Sequence, residues 1–237
     1  ISYHKNGKLR SEAVYEFGER HGEMKFYDQN GVYQMSRMYH YGEIVSYFYY
    51  DSNQKKQEFK IEGGTAEVRA KFPSGKPSRE FNLVNGYFDG VYKSFYENGQ
   101  LSFEYTLKNN ERSGLFRMFY ENGKVKAKNN YFNNGKDSYA STYHENGKLM
   151  SMGKYVNQKK DSTWVFLDQY GNYISKDEYK NGEKHGKCIL FYAYNPDLDV
   201  GQPNLFEVAF YVNGMQDGEY TKYYKNGKEF LVIKRAS

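Results

Sequence analysis

Histidine, cysteine and paired carboxylates are the side chains from which a metal or catalytic site could be built. The chain has five histidines and one cysteine, Cys188. His21 and His185 share one position of a 24-residue repeat, and His4 and His144 share another, so the spacing separates them by whole units and predicts no metal cluster. Cys188 occupies a repeat position otherwise held by Met, Ala and aromatic residues. We expect a buried structural thiol there, because a nucleophile would need a lowered pKa and a neighbouring base.

Carboxylates also fail to form a recognisable site. Asp197 and Asp199 faintly resemble a calcium loop, but the closing Glu and the third ligand position of that motif are absent, which favours a plain surface loop. Glu97, Glu121 and Glu145 recur once per unit in exposed turns, whereas acid–base chemistry needs carboxylates in unequal environments. We therefore predict that the chain is not an enzyme and uses neither a metal nor another cofactor.

One turn and its copies organise the sequence. Residues 120–125 read Tyr-Glu-Asn-Gly-Lys-Val, and the glycine recurs at Gly99, Gly123, Gly147 and Gly171 in steps of 24 residues. A fixed period in this range indicates a repeat array in which each unit packs on its neighbours. Asn-Gly between apolar residues predicts a two-residue hairpin turn of type I′, in which both central residues have φ > 0.

The segments between these turns read as strands. Leu101, Phe103, Tyr105 and Leu107 alternate with polar residues, a period of two that predicts a strand with one apolar face. A second, longer turn is expected over 109–114. The position eight residues after each turn glycine is predicted to be buried; it holds Tyr15, Tyr131 and Tyr155, among others.

The repeats together predict the fold class. We expect an all-β, elongated, single-layer antiparallel β-meander of about ten β-hairpins, each close to 24 residues, as a single array over 1–237. Two places break the period: an irregular unit near 46–64 and an inserted loop at 195–203 that contains two prolines. An insertion of this kind maps to a loop on one side of such an array.

Composition limits the partners. Aromatic residues make up 19% of the chain although its mean hydropathy is −0.96, which fits a half-solvated β protein rich in Tyr. The 34 basic and 29 acidic residues are interspersed, so nucleic acid is an unlikely partner. No apolar run approaches the ~18 residues of a membrane span, while contact with a membrane surface stays open. The chain begins at Ile1, and we expect an exported protein slightly more than a cytoplasmic one; the oligomeric state is open.

The turn pattern carries a resemblance. An aromatic residue followed by x-x-Asn-Gly-Lys-Leu, and then Tyr-x-Asn-Gly-x-x-x-Gly as at 179–186, resembles the bacterial variant of the MORN repeat over nearly the whole chain. The resemblance implies a hairpin meander with a binding or assembly role. Eukaryotic relatives are linked to phospholipids and scaffolding, and many bacterial relatives are labelled as antitoxins of toxin–antitoxin pairs. No site residue can be carried over from the resemblance.

These observations favour a non-enzymatic scaffold that binds another protein through an aromatic-rich sheet face. The alternatives are an antitoxin or immunity protein that neutralises a toxin enzyme and, third, phospholipid or carbohydrate binding. Hot spots of interfaces are enriched in Tyr and Arg. The candidate partner-binding residues are therefore Phe72, Tyr96, Arg117, Tyr120 and Tyr224.

Overall fold

The computed structural model describes residues 1–197 and 204–234 of the chain. Within these ranges the chain forms 21 β-strands and no helix, and the paired strands are antiparallel. The predicted all-β antiparallel meander is therefore confirmed. The predicted loop at 195–203 lies largely outside the described residues, as does Asp199.

The strands form two sheets. The first sheet contains β1 (Ser2–Tyr3), β2 (Leu9–Glu16), β3 (Glu19–Tyr27), β4 (Tyr33–His40), β5 (Glu43–Tyr50) and β6 (Lys56–Lys60). The second sheet begins with β7 (Ala66–Lys71), β8 (Pro77–Val84), β9 (Tyr87–Phe88), β10 (Gly90–Phe95), β11 (Leu101–Lys108) and β12 (Glu111–Phe119). It continues with β13 (Val125–Phe132), β14 (Asp137–Tyr143), β15 (Leu149–Val156), β16 (Lys159–Leu167), β17 (Tyr173–Lys180), β18 (Glu183–Phe191), β19 (Leu205–Val212), β20 (Met215–Tyr223) and β21 (Glu229–Lys234). Strand order follows the chain, except that β10 pairs with β8 and the short β9 pairs only with β8.

The sequence predicted tight two-residue Asn-Gly turns and a longer second turn, but the structure has the longer turn at Asn-Gly and the tight turn at the second position. In the Asn-Gly turns only the glycine is left-handed: Gly99 has φ of 89° and donates its N–H to the Tyr96 carbonyl at 2.9 Å, while Asn98 does not have a positive φ. The strand register shifts beside this turn, so it is a type I turn followed by a G1 bulge rather than a type I′ turn. Gly123 repeats the arrangement, with φ of 82°.

The predicted long turn is the tight one. Asn109 and Asn110 have φ of 51° and 67°, and β12 begins at the next residue, so this is a two-residue loop with both residues left-handed, as type I′ requires. Asn181 and Gly182 repeat it with 53° and 92°. The small residue that ends the predicted long turn, Gly114 at φ 70°, instead lies inside β12.

Asparagine and lysine have structural reasons to recur in the turns. Asn146 accepts a hydrogen bond at Oδ1 from the Lys148 N–H at 2.9 Å, and its Nδ2 donates to the Gln169 carbonyl in the next turn at 2.8 Å. Lys148 Nζ donates to the Tyr170 carbonyl at 2.7 Å. These bonds satisfy turn carbonyls that the strand ladder leaves free, and they join each turn to the next.

Contacts divide the chain into two compact units: residues 1–113 with 118–123, and residues 114–117 with 124–237. In the first unit the two sheets pack face to face around a core to which Met35 and Tyr47 contribute from the first sheet, and Val68, Phe81 and Tyr92 from the second. The single layer expected from the sequence therefore does not hold in the first unit.

The irregular stretch near 46–64 explains this second layer. The chain turns between Glu62 and Thr65, which bond to each other, and β7 then opens a new sheet against β4 and β5. Gly64 accepts a hydrogen bond from the Gly86 N–H at 2.8 Å, and a Cβ on Gly64 would lie 2.7 Å from that nitrogen. Only glycine allows this close approach of two backbones.

The second unit keeps the predicted simple meander. Its strands pack chiefly on the strand before and the strand after them. Packing there runs along the sheet through rows of cross-strand neighbours.

Candidate functional site

One face of the second unit carries a row of cross-strand neighbours that departs from the polar surface of the repeats. Directly opposed residues lie on the same face of a sheet. The register places Ser141, Met152, Val165, Lys176, Ile189 and Val208 opposite one another from β14 to β19. We call these six residues the Met152 row.

Exposed apolar side chains flank the Met152 row. Ile174 lies two residues before Lys176, and Phe210 two residues after Val208, so both belong to the same face. Met152, Ile174 and Phe210 leave 47%, 46% and 39% of their surface exposed. The register places Ile174 and Phe210 on opposite sides of the row, so the three side chains extend its apolar surface without forming one contiguous patch. Exposed apolar surface of this kind on a folded protein suits an interaction surface.

Lys176 is the charged member of the Met152 row. Its Nζ lies 3.7 Å from the ring centroid of Tyr173 and 6.0 Å from that of Phe191. Cation–π contacts of this kind hold a lysine against aromatic surface. The face therefore presents aliphatic, aromatic and cationic groups together.

The corresponding positions in the first unit hold ion pairs. Met152 and Val165 stand five and eighteen residues after their turn glycine, and in the first unit the same two positions are filled by Glu12 and Lys25. Lys25 Nζ and Glu12 Oε1 are 3.3 Å apart. The apolar pair is thus a feature of this one repeat, because other repeats of the second unit have Lys128 with Ser141, and Lys176 with Ile189, at the same positions.

The opposite face of the second unit is the more enclosed one. Trp164, Asp177 and Cys188 are opposed across β16, β17 and β18 and are all buried. Lys160 Nζ lies 4.7 Å from the Trp164 ring and 5.0 Å from that of Tyr179, and burial lowers the pKa of this lysine. We call this face the Trp164 face.

Cys188 is the buried thiol that its repeat position predicts. It is free and 5% exposed. Burial raises the pKa of its thiol to about 11. A thiol with a raised pKa is mostly protonated at neutral pH and is a poor nucleophile.

Two of the residues predicted to bind a partner are buried. Phe72 has no exposed surface, which leaves it nothing to offer a partner in this conformation. Tyr96 is 9% exposed, and its hydroxyl donates to the Phe119 carbonyl at 2.8 Å. Burial raises the pKa of Tyr96.

The repeat position of Tyr96 is structural elsewhere as well. His4 and His144 occupy the same position, three residues before a turn glycine, and each bonds through Nε2 to a carbonyl 23 residues further on, that of Tyr27 and that of Leu167. The side chain at this position therefore connects one 24-residue repeat to the next repeat. Sequence reasoning could not separate this role from partner binding, because both use large polar aromatic residues.

The other three predicted residues are more accessible, but Tyr224 stands far from the other two along the strand order. Tyr120 is half-buried at the start of a turn in the first unit. Arg117, in β12, and Tyr224, after β20, belong to the second unit, where β13 to β19 separate their strands. Tyr224 is 55% exposed and packs against Phe230 at 5.0 Å between ring centroids. Their role in binding stays a prediction.

Sequence reasoning missed Met152, Ile174 and Phe210. The available signal was the loss of alternation in their strands: Met150 and Met152 fill outward positions of β15 where other units carry charged residues such as Glu80. A strand that is apolar on both faces is not explained by a single-layer fold.

Neither a metal centre nor a spanning helix is present in the ranges 1–197 and 204–234. No group of three or more His, Cys, Asp or Glu side chains there could hold a metal ion. No helix of these ranges has the length and apolarity to cross a membrane.

Six stretches of the chain are similar to a known repeat family. The model of the MORN repeat variant family matches residues 1–16, 20–40, 88–109, 112–134, 136–157 and 216–228. The matched stretches lie in both units. A comparison with curated proteins finds no match.

Proposed function

We propose that the chain, six stretches of which match the MORN repeat variant family, is a non-enzymatic scaffold that binds another protein through the Met152 row. The observation that carries the proposal is the apolar pair of exposed Met152 and half-buried Val165, at positions where two repeats of the first unit have ion pairs. The repeat folds with either pair, so folding alone does not account for the apolar one.

The chemistry of the row suits a protein partner. Interface cores are depleted of charged residues and enriched in Met and aromatic residues, with charges at the rim. The row offers Met152, Val165 and Ile189 at its centre, with Lys176 held against Tyr173. The matching surface on a partner would be apolar with an acidic group opposite Lys176.

Two variants test the proposal. The charge-pair variant Met152→Glu/Val165→Lys gives the second unit the ion pair that the first unit carries at the same positions. The matched control Glu80→Met/Lys93→Val makes the reverse change in the first unit, where Lys93 and Glu80 are 3.6 Å apart.

The experiment is photo-crosslinking in cells of the source organism, with the reactive side chain at position 189 or, as a comparison, at position 12. We expect one protein to be crosslinked at 189 and not at 12, to bind the purified chain, and to lose affinity by at least about tenfold in the charge-pair variant, as for a disrupted interface centre. The control variant should bind normally. A partner that binds the charge-pair variant at full strength would refute the proposed surface.

A further inference from the structure

Aspartate replaces the aromatic or histidine side chain in three copies of the turn. Asp28, Asp51 and Asp168 each stand at the position three residues before the left-handed turn residue. In each, Oδ1 accepts hydrogen bonds from the backbone N–H groups two and four residues later, at 2.8–3.0 Å. Asp side chains stabilise turns in this way.

The second carboxylate oxygen distinguishes Asp28 from its copies. Asp168 Oδ2 accepts from Asn172 Nδ2 at 3.3 Å, and Asp51 Oδ2 accepts from Gln57 Nε2 at 2.9 Å. Asp28 is 7% exposed, and its Oδ2 is shielded from solvent without a hydrogen-bond partner. A buried carboxylate oxygen without a donor is costly.

A cleft of the first unit lies at this carboxylate. It offers about 80 Å³ of space to water-sized groups, which is less than the roughly 300–1,000 Å³ of drug-sized ligand sites, so only a small molecule fits. Tyr27, Tyr96 and Phe103 form apolar walls, and Asp28 and Arg79 both line it.

Arg79 brings a positive charge that no carboxylate neutralises at short range. Its Nε and Nη2 donate to Gln34 Oε1, and its Nη1 donates to the Tyr92 hydroxyl at 3.0 Å. All of these acceptors are neutral, and Arg79 has no salt bridge among the described residues. Gln34 is 3% exposed and donates in turn to Ser94 Oγ at 3.3 Å, so the guanidinium is held in place.

We propose that this cleft binds a small zwitterion, a free α-amino acid, whose ammonium group pairs with the Asp28 carboxylate and whose carboxylate faces Arg79. Because Oδ2 is shielded from solvent, binding requires the Asp28 side chain to rotate and turn this oxygen toward the cleft. A simple amine would satisfy Asp28 but meet the positive charge of Arg79, and a simple anion would meet the opposite problem. A ligand with both charges matches both groups. The aromatic walls would exclude water and strengthen both charge pairs.

The test is a titration of the ¹⁵N-labelled full chain, followed by two-dimensional NMR, with a mixture of the twenty amino acids at millimolar concentration and then with each one separately. We expect shifts of amide signals at Asp28, Ser94 and Tyr96 with at least one amino acid. The N-acetylated form of that amino acid, which lacks the ammonium group, should leave the spectrum unchanged.

Asp28→Asn tests the contact itself. The amide keeps the Oδ1 acceptor that stabilises the turn, so the chain should fold, while the loss of the charge should weaken binding by at least about tenfold. Asp168→Asn is the matched control and should bind as the native chain does. Unchanged spectra with all twenty amino acids would overturn the proposal, and so would equal affinity of Asp28→Asn and the native chain.

Discussion

The same pair of repeat positions has opposite chemistry in the two units. In the first unit Glu80 and Lys93 oppose each other across β8 and β10 as an ion pair. In the second unit Met152 and Val165 oppose each other across β15 and β16 as an apolar pair. The turns and strand register around both pairs follow one pattern, so the backbone of the repeat does not depend on which pair it carries.

This difference shows that the outward positions of the repeat can change without changing its fold. Exposed ion pairs contribute roughly 0–1 kcal/mol, and cross-strand pairs roughly 0.2–1 kcal/mol. Neither pair is therefore a large part of the stability, and the outward positions are free to change. Apolar residues at such exposed positions raise the risk of aggregation. A role in binding a partner would explain why they are present.

The inward-facing aromatic side chains also differ between the units, in how deeply they are buried. In the first unit Phe81 is 1% exposed and lies between Tyr47 and Tyr92, with ring centroids 4.9 and 5.1 Å away. In the second unit the largest inward side chains pack along one sheet, as Tyr155 does on Trp164 at 5.0 Å, and Tyr155 stays half-buried. The first unit thus has a two-layer core, and the second relies on rows within a single sheet.

The largest expected effect tests this contrast. Phe81→Ala should lower the free energy of unfolding by on the order of 4 kcal/mol, because it empties a fully enclosed site between two sheets. Tyr155→Ala should cost about half as much, because its site is open to solvent and loses less burial. Urea denaturation followed by fluorescence measures both. Equal losses would show that the second unit is packed as tightly as the first.

This contrast also marks the limit of the sequence prediction. The position eight residues after each turn glycine was predicted to be buried, and Leu83 and Leu107 are 4% and 7% exposed. In the second unit Tyr131 is only half-buried, and Tyr15 near the chain start is 58% exposed. Periodicity identifies which side of a strand is apolar, but how deeply that side is buried depends on whether another sheet covers it.

Neither the type of the Asn-Gly turns nor the unpartnered oxygen of Asp28 could be predicted from the local sequence pattern, because that pattern does not contain the contacts on which they depend. Asn-Gly fits a type I′ turn, yet the glycine at 99 serves a G1 bulge, because Asn98 is used to bond the Gln100 N–H and the carbonyl of Glu121 in the next turn. The unpartnered oxygen of Asp28 also depends on its neighbours, since Asp168 has the same sequence position and a full set of bonds. A repeat sequence predicts the shared architecture well and the individual exceptions poorly.

A smaller loss of stability is expected from removing a hydrogen bond between turns that both units contain. Asn6 and Asn146 each donate through Nδ2 to a carbonyl in the next turn at 2.8 Å. Asn6→Asp and Asn146→Asp keep the oxygen that accepts from the turn but remove this donor, so each should cost about 1 kcal/mol, the usual contribution of one hydrogen bond. Thermal and urea unfolding measure the loss.

The control for this prediction is Asn226→Asp. Asn226 accepts from the Lys228 N–H at 3.0 Å, and no further turn of the described chain follows it. Its substitution should be nearly neutral. A loss at Asn226 as large as at Asn146 would mean that the bond between turns contributes nothing measurable.

The smallest change in stability is expected from exchanging the outward pairs between the units. The charge-pair variant Met152→Glu/Val165→Lys and the reverse variant Glu80→Met/Lys93→Val should each alter the free energy of unfolding by less than about 0.5 kcal/mol, as is usual for surface substitutions. Binding of a hydrophobic dye should change in opposite directions, falling in the first variant and rising in the second, because apolar surface is removed in one and created in the other. If the charge-pair variant instead unfolds the second unit, then Met152 and Val165 are part of its packing, and the difference between the two units is one of core and not of surface.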